Sequence, residues 1–268
     1  GHRVTRLTFM TNIKVGVVIR PQATTVEAMR SAWTEADAMG ADSVWTWDHF
    51  FPLFGDMEAE HFEGWTLLAT MAADTNNAML GMMVTCNGYR NPELLADMAR
   101  TLDHVSGGRM YLGIGSGWFQ RDYDEYGYEF DTAIGRLRKL EADLPRIRSR
   151  LSKVNPPPMG RLPILIGGKG EKVTLRLVAE HADAWNSFGP PENYARLSGI
   201  LDEWCDKVGR DPGQIERTVQ VDADDVQDMG RYVDAGADHV IVALNAPFDM
   251  APLASLIRSE ERRVGKEC

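Results

Sequence analysis

Short apolar runs alternate with longer segments carrying apolar residues at helical spacing along most of this chain. Ile13 to Ile19 reads as a strand, and Thr25 to Met39 as an amphipathic helix stopped by Gly40. Ser43 to Trp47 is the next strand, with a helix from about Glu63 to Thr75. Met79 to Cys86 leads to a helix opening after Asn91-Pro92. Met110 to Gly115 is a fourth strand, whose helix, about Thr132 to Leu151, follows a long aromatic and acidic loop, Trp118 to Asp131. The pattern then repeats: Pro163 to Ile166 with Glu171 to Ala182, Ala184 to Ser187 with Pro191 to Val208, Ile215 to Val221 with Val226 to Ala235, and His239 to Ala243 with Met250 to Ile257. Eight strand-helix units predict an α/β fold, a (β/α)8 TIM barrel. The rival, a doubly wound sheet, wants a glycine fingerprint in its first turn, where this chain has Ile19-Arg20-Pro21-Gln22.

Residues 13–257 are thus expected to form one domain. Residues 1–12 are polar and patternless, and residues 258–268 are charged; both are set aside from the fold as candidate non-native extensions, with Met10 a plausible natural start. A chain of 268 residues, 44% hydrophobic, can bury a large core as a single unit. Its net charge of -10 disfavours nucleic acid as a partner, and a small molecule fits better. No apolar run reaches the roughly 20 residues of a membrane span, so the cytoplasm is the default location and no membrane partner is expected. Cys86, Cys205 and Cys268 are widely spaced and show neither a disulfide framework nor zinc spacing.

A barrel gathers the C-terminal ends of its strands at one mouth. Here those ends read Trp47-Asp48-His49-Phe50, Thr85-Cys86-Asn87, Gly113 to Trp118, Gly167-Gly168-Lys169-Gly170 and Trp185-Asn186-Ser187, a set that suits a large planar cofactor. Asp48 and His49 are adjacent and would face opposite ways on a strand, so a metal site is not expected. His49 is a candidate general acid or base, weighed against a structural role. Asp48 orients that ring, bonds a cofactor, or caps the next turn. Cys86 lines the pocket or is a small core residue. The glycine turn, opening onto a helix, is an anion cradle or an ordinary loop; Lys169 or Lys172 would add charge to a cradle. His61 and His104 read as surface or helix residues, His181 as a helix-end residue, and His239 as lying at the opposite face of the barrel.

Four segments, Ser43-Val44-Trp45-Thr46-Trp47-Asp48-His49-Phe50, Tyr89-Arg90-Asn91-Pro92-Glu93-Leu94-Leu95-Ala96, Ser106-Gly107-Gly108-Arg109-Met110 with Gly113-Ile114-Gly115-Ser116-Gly117-Trp118, and Gly167 to Arg176, together resemble the bacterial luciferase-like monooxygenase superfamily, most closely its coenzyme F420-dependent oxidoreductase branch. The resemblance spans about Ile13 to Ile257. It implies F420 in the mouth, its ring near Asp48, His49 and Cys86, with Ser116, Gly117 and Asn186 beside it and its phosphate on Gly167, Gly168, Lys169 and Gly170. It also implies a non-proline cis peptide near Met83-Val84. Trp47, Phe50, Trp118 and Phe119 would wall the substrate, a small carbonyl, alcohol or activated alkene, and His49 would move the proton that accompanies hydride transfer. Sugar-phosphate relatives carry an acid where this chain has Trp118, which argues against such a substrate. The short segment Leu151 to Pro163 leaves the mouth open or for a partner subunit to close, and a homodimer is an expectation by analogy. The alternatives are an FMN-dependent monooxygenase served by a flavin reductase, and a non-catalytic barrel that only binds a flavin or deazaflavin.

Overall fold

The computed structural model describes residues 12–265, with side chains through residue 261. Its elements are β1 (Lys14–Ile19), α1 (Val26–Ala38), β2 (Ser43–Thr46), α2 (Gly64–Asp74), β3 (Met79–Met82), β4 (Thr85–Cys86), α3 (Pro92–Val105), β5 (Leu112–Gly115), α4 (Gln120–Tyr126), α5 (Ala133–Leu151), β6 (Ile164–Gly167), α6 (Thr174–His181), β7 (Ala184–Phe188), α7 (Pro191–Val208), β8 (Glu216–Asp222), α8 (Met229–Asp234), β9 (His239–Leu244) and α9 (Ala251–Gly265). All strand pairs are parallel, in the order β3-β2-β1-β9-β8-β7-β6-β5-β4. β3 and β4 are halves of one stave, parted at Met83–Val84, whose peptide bond is cis at the position the resemblance implied. Leu80 N–H donates to the Arg109 carbonyl and Tyr111 N–H to that of Leu80, both at 2.7 Å, nearly closing the ring. The result is a nearly closed (β/α)8 TIM barrel.

Side chains alternate across each stave. Val15, Val17, Val44 and Val240 face outward into the main core against the helices, while Val18, Trp45, Tyr111, Leu165, Ala184 and Ile241 fill the barrel. Trp45 lies 5.0 Å from Tyr111 between ring centroids and packs over Gly81, where a Cβ would sit 2.6 Å from the indole. The barrel is therefore plugged below its mouth. Following the same inward rows toward the C-terminal ends brings Arg20, Trp47, Gly167 and Asn186 to that mouth.

Several boundaries differ from expectation. The stretch 118–131 is not all loop: α4 forms within it, ended by Gly127 at φ 71°, because Tyr123 is buried against Tyr89. Residues 171–173 make a turn, so α6 starts only at Thr174 and Lys172 lies outside its first turn. Residues 223–228 are 3-10 helix ahead of α8. α9 continues past Ile257 into the charged tail, and the Glu260 carboxylate accepts the Ile13 N–H at 2.8 Å. Residues 1–11 and 266–268, which include most of the expected N-terminal extension and Cys268, lie outside the described residues.

Two of the sequence motifs prove architectural. Asn91 caps α3, accepting from Leu94 N–H, with Pro92 at the first turn. The Ser106–Arg109 turn delivers the Arg109 guanidinium to the carbonyls of Ala72, Thr75 and Ala78, tying α2 to β3.

The bottom of the barrel is held by a polar network. Ser43 Oγ lies 2.8 Å from His239 Nε2, His239 Nδ1 lies 2.8 Å from Glu216, and Tyr111 OH donates to the same carboxylate at 2.8 Å. His239 is fully buried here, away from the mouth as the sequence order implied. Burial alone would raise the Glu216 carboxyl, but hydrogen bonding and attraction from His239, with Lys14 and Tyr111, outweigh it and bring it down to about 2. A depressed carboxyl stabilises the fold above its ordinary value and loses that contribution as pH falls from 4.5 to about 2. The stability gap between wild type and Glu216→Gln, read from urea midpoints, should be full above pH 5, about 3 kcal/mol, and shrink toward pH 3. A gap independent of pH would contradict this.

Candidate active site

Two neighbouring residues at the end of β2 divide the site. Asp48 turns outward and is buried, accepting two bonds from Arg90 (2.6 and 2.9 Å) and the Cys86 N–H at 3.0 Å. Burial pushes its carboxyl up, opposed by the Arg90 bonds. Arg90 also reaches Glu63, which caps α2 through the Trp65 and Thr66 N–H groups. Asp48 therefore locks β2, β4 and α2 together and does not orient His49.

His49 is oriented by a residue on α4. Its Nδ1 lies 2.7 Å from Oδ2 of the buried Asp122, which also accepts the Tyr89 hydroxyl at 2.8 Å and the Phe50 N–H at 2.9 Å. A carboxylate only accepts, so Nδ1 carries the imidazole proton and Nε2 is left as the working atom. Nε2 has no hydrogen-bond partner among the described residues and is not sealed from solvent. Trp47, Trp118 and Phe119 each meet the ring edge-on at 5.7 Å, and Trp118 is 62% exposed at the rim. Trp47 donates its indole N–H to His61 at 3.0 Å, and burial lowers His61 to about 4, which keeps that imidazole neutral.

The wall that runs on from β4 through β5 and β6 is made of glycine. A Cβ on Gly115 or on Gly167 would come within 2.9 Å of the Val84 side chain, so the two glycines and Val84 leave a shallow face beside Met83. The loop beyond departs in a glycine conformation, Gly168 at φ 140°, with Gly168 N–H on the Asn186 carbonyl at 3.0 Å and the Trp185 indole on the Gly168 carbonyl at 2.9 Å. Lys169 and Gly170 are exposed, and α6 begins with no side-chain cap, although the Leu175 N–H of its first turn is taken by the Gly170 carbonyl at 2.9 Å. Asn186 is buried and takes the Thr218 hydroxyl at 2.7 Å. Ser116 and Gly117 are half-buried at the end of β5.

The remaining expected residues lie elsewhere. Cys86 sits under Gly117 with its thiol 3.0 Å from the Tyr123 hydroxyl, in a cluster with Tyr89, and burial pushes it up to about 11, so it is an inert thiol facing aromatic rings. Phe50 stacks on Tyr126 at 4.0 Å and lines a recess of about 600 Å³ between α2 and α3, away from His49. Asp122, Arg90, Tyr89 and His61 were missed. A signal for Asp122 existed: Tyr123, Tyr126 and the stop at Gly127 mark a short helix inside the supposed loop. Among the described residues no cluster has the makings of a metal site and no helix is long and apolar enough to cross a membrane.

A parallel (β/α)8 barrel whose mouth sets a carboxylate-held imidazole against a glycine face is a framework for enzymes of the oxidoreductase and monooxygenase type. The chain belongs to the luciferase-like monooxygenase family, which it matches over residues 5–224. It is 31% identical over 223 residues to the phthiodiolone/phenolphthiodiolone dimycocerosates ketoreductase of Mycobacterium tuberculosis, covering 69% of this chain but only 58% of the length of that protein. An F420-dependent secondary alcohol dehydrogenase in complex with an F420-acetone adduct superposes with a TM-score of 0.81 at 15% identity, covering 93% of this chain and 98% of the other. The FMN-bound oxygenating constituent of 3,6-diketocamphane monooxygenase from Pseudomonas putida gives 0.63 at 16% identity, covering 78% and 67%. At such identities these structures speak to the fold alone, and they include both F420 and FMN proteins.

Proposed function

We propose that this protein is an F420-dependent oxidoreductase that interconverts a small organic carbonyl compound and its alcohol. The observation that carries the reading is the His49–Asp122 pair, which presents a free Nε2 at the same mouth as the glycine face. The reactions named for the ketoreductase relative and for the superposable alcohol dehydrogenase, carbonyl reduction and alcohol oxidation, support it.

The residues present fit the cofactor. Val84, Gly115 and Gly167 would take a flat ring, with Met83, Ser116, Gly117 and Asn186 around it, and the exposed turn of Gly168, Lys169 and Gly170 would take a phosphate. Bound F420 would supply a carbon that gives or accepts hydride. The chain's own contribution is position and a proton. Trp47, Trp118 and Phe119 hold the substrate against His49 and exclude water. In alcohol oxidation Nε2 accepts the hydroxyl proton, and Asp122 stabilises the imidazolium that results; in carbonyl reduction the same atom returns the proton to oxygen.

Similarity to an FMN-bound monooxygenase keeps one rival in view, and separate titrations with F420 and FMN discriminate them. Tight F420 binding with no FMN binding is expected; FMN binding alone would overturn the proposal. Gly167→Ala, which forces a methyl against Val84, should raise the F420 Kd about tenfold or more without unfolding the barrel, about 1.4 kcal/mol. Equal affinity would remove the glycine face from the cofactor site.

A further inference from the structure

On the inward row of β1 the mouth holds a guanidinium to which the reading above gives no task. Arg20 follows Val18, which points into the barrel, and its side chain is only 9% exposed. Its guanidinium carbon lies 5.8 Å from the Trp47 ring centroid and 5.0 Å from that of Phe54, so the group is held among aromatic surfaces. It is poorly satisfied there. Nη2 donates to one oxygen of Asp222 at 3.1 Å, Nε is buried with no partner, and Nη1 has none among the described residues. Asp222, also at the mouth at the end of β8, is 69% exposed.

A nearly buried arginine whose Nη1 is free and whose Nη2 makes one bond to an exposed carboxylate keeps its terminal edge available to a stronger partner. We propose that Arg20 is the substrate-recognition residue, and that its ligand is the carboxylate of an organic acid bearing the reacting carbonyl or hydroxyl. The charge favours a monoanion. One guanidinium leaves a phosphate dianion uncompensated and facing the acidic Asp222, whereas a carboxylate matches its single charge and can take the Nη1–Nη2 edge in a fork by displacing that one exposed contact. Position agrees: Arg20 and His49 both pack against the buried Trp47, so the two groups border one indole at the mouth. The glycine face is left for the cofactor. Asp222 competes with the ligand for Nη2.

The inference rests on the oxidoreductase reading for its chemistry, but the binding can be tested without turnover. Benzoate and its neutral counterpart benzamide are titrated by calorimetry into the cofactor-free protein. Benzoate should bind about tenfold or more tighter. Arg20→Gln should abolish that preference, Arg20→Lys should keep part of it, and Asp222→Asn, at an exposed position that the fold tolerates, should tighten benzoate several-fold. Equal binding of the two probes to wild type, a preference that survives Arg20→Gln, or weaker benzoate binding in Asp222→Asn would each overturn the assignment. F420 titrations of the same variants separate the two ideas: Arg20→Gln should leave F420 affinity unchanged, and a wild type that ignores F420 but prefers benzoate would sink the cofactor reading alone. With turnover in hand, Arg20→Gln should raise KM for levulinate and not for its methyl ester, with kcat nearly unchanged.

Discussion

Replacing His49 with alanine should lower turnover by about 10²–10⁴-fold, the usual contribution of a positioned acid or base, while F420 affinity changes by no more than about twofold. The asymmetry follows from the geometry. His49 presents Nε2 to the mouth from the end of β2 and is no part of the glycine face, so its loss removes the proton route but not the surface against which the cofactor would lie. Asp122→Asn is the sharper variant. The amide keeps the volume, and with its oxygen accepting the Phe50 N–H its NH2 takes the place that faces His49 Nδ1 and the Tyr89 hydroxyl, which must then accept; it no longer stabilises an imidazolium and donates to Nδ1, which would hold the imidazole in the wrong tautomer. A fall in kcat on the order of 10²-fold with unchanged melting temperature is expected. Stopped-flow F420 absorbance and a parallel binding titration measure both quantities, and unchanged turnover in His49→Ala would remove the imidazole from the mechanism.

Arg90→Ala should be the most destabilising single change near the site. It strands a fully buried Asp48 carboxylate, and breaking a buried pair by removing one partner costs about 3–5 kcal/mol. For a chain of this length the melting temperature should fall on the order of 10 °C. Asp48→Asn should cost less, because the amide oxygen can still accept the Cys86 N–H and one bond from Arg90. Calorimetric melts of both variants check the order; a shift under about 2 °C for Arg90→Ala would mean that water reaches the pair. The same variant should lower activity indirectly, since Asp48 fastens the end of β2 from which His49 projects.

Much of the fold was legible because a barrel stave and its helix are local objects. Val15-Gly16-Val17-Val18-Ile19 and the spaced apolar residues of Val26–Ala38 identify themselves within a few residues, and the order of eight such pairs limits the topology. Boundaries failed where a local signal was ambiguous or another part of the chain intervened. α4 hid in an aromatic stretch whose rings are buried only when Tyr89 packs on Tyr123, and α9 ran on through charged residues because Glu260 finds Ile13. The late start of α6 at Thr174 is a third case: glycine and lysine gave no cap to mark it.

The site divides along the same line. Its inventory at the strand ends, Trp47, His49, Ser116, Gly117 and the Gly167–Gly170 turn, can be listed from the sequence because the barrel guarantees that strand ends meet. Partnerships could not be. Asp48 stands next to His49 in the chain, yet adjacent residues on a strand face opposite ways, so Asp48 went to Arg90 and His49 to Asp122, 73 positions along. Cys86 and Phe50 likewise turned to aromatic clusters. By itself the sequence determined which residues reach the mouth, through periodicity and order, which are properties of the chain. Only the tertiary structure decided which of them touch, because hydrogen bonds and burial depend on separations in space between residues that no local pattern relates.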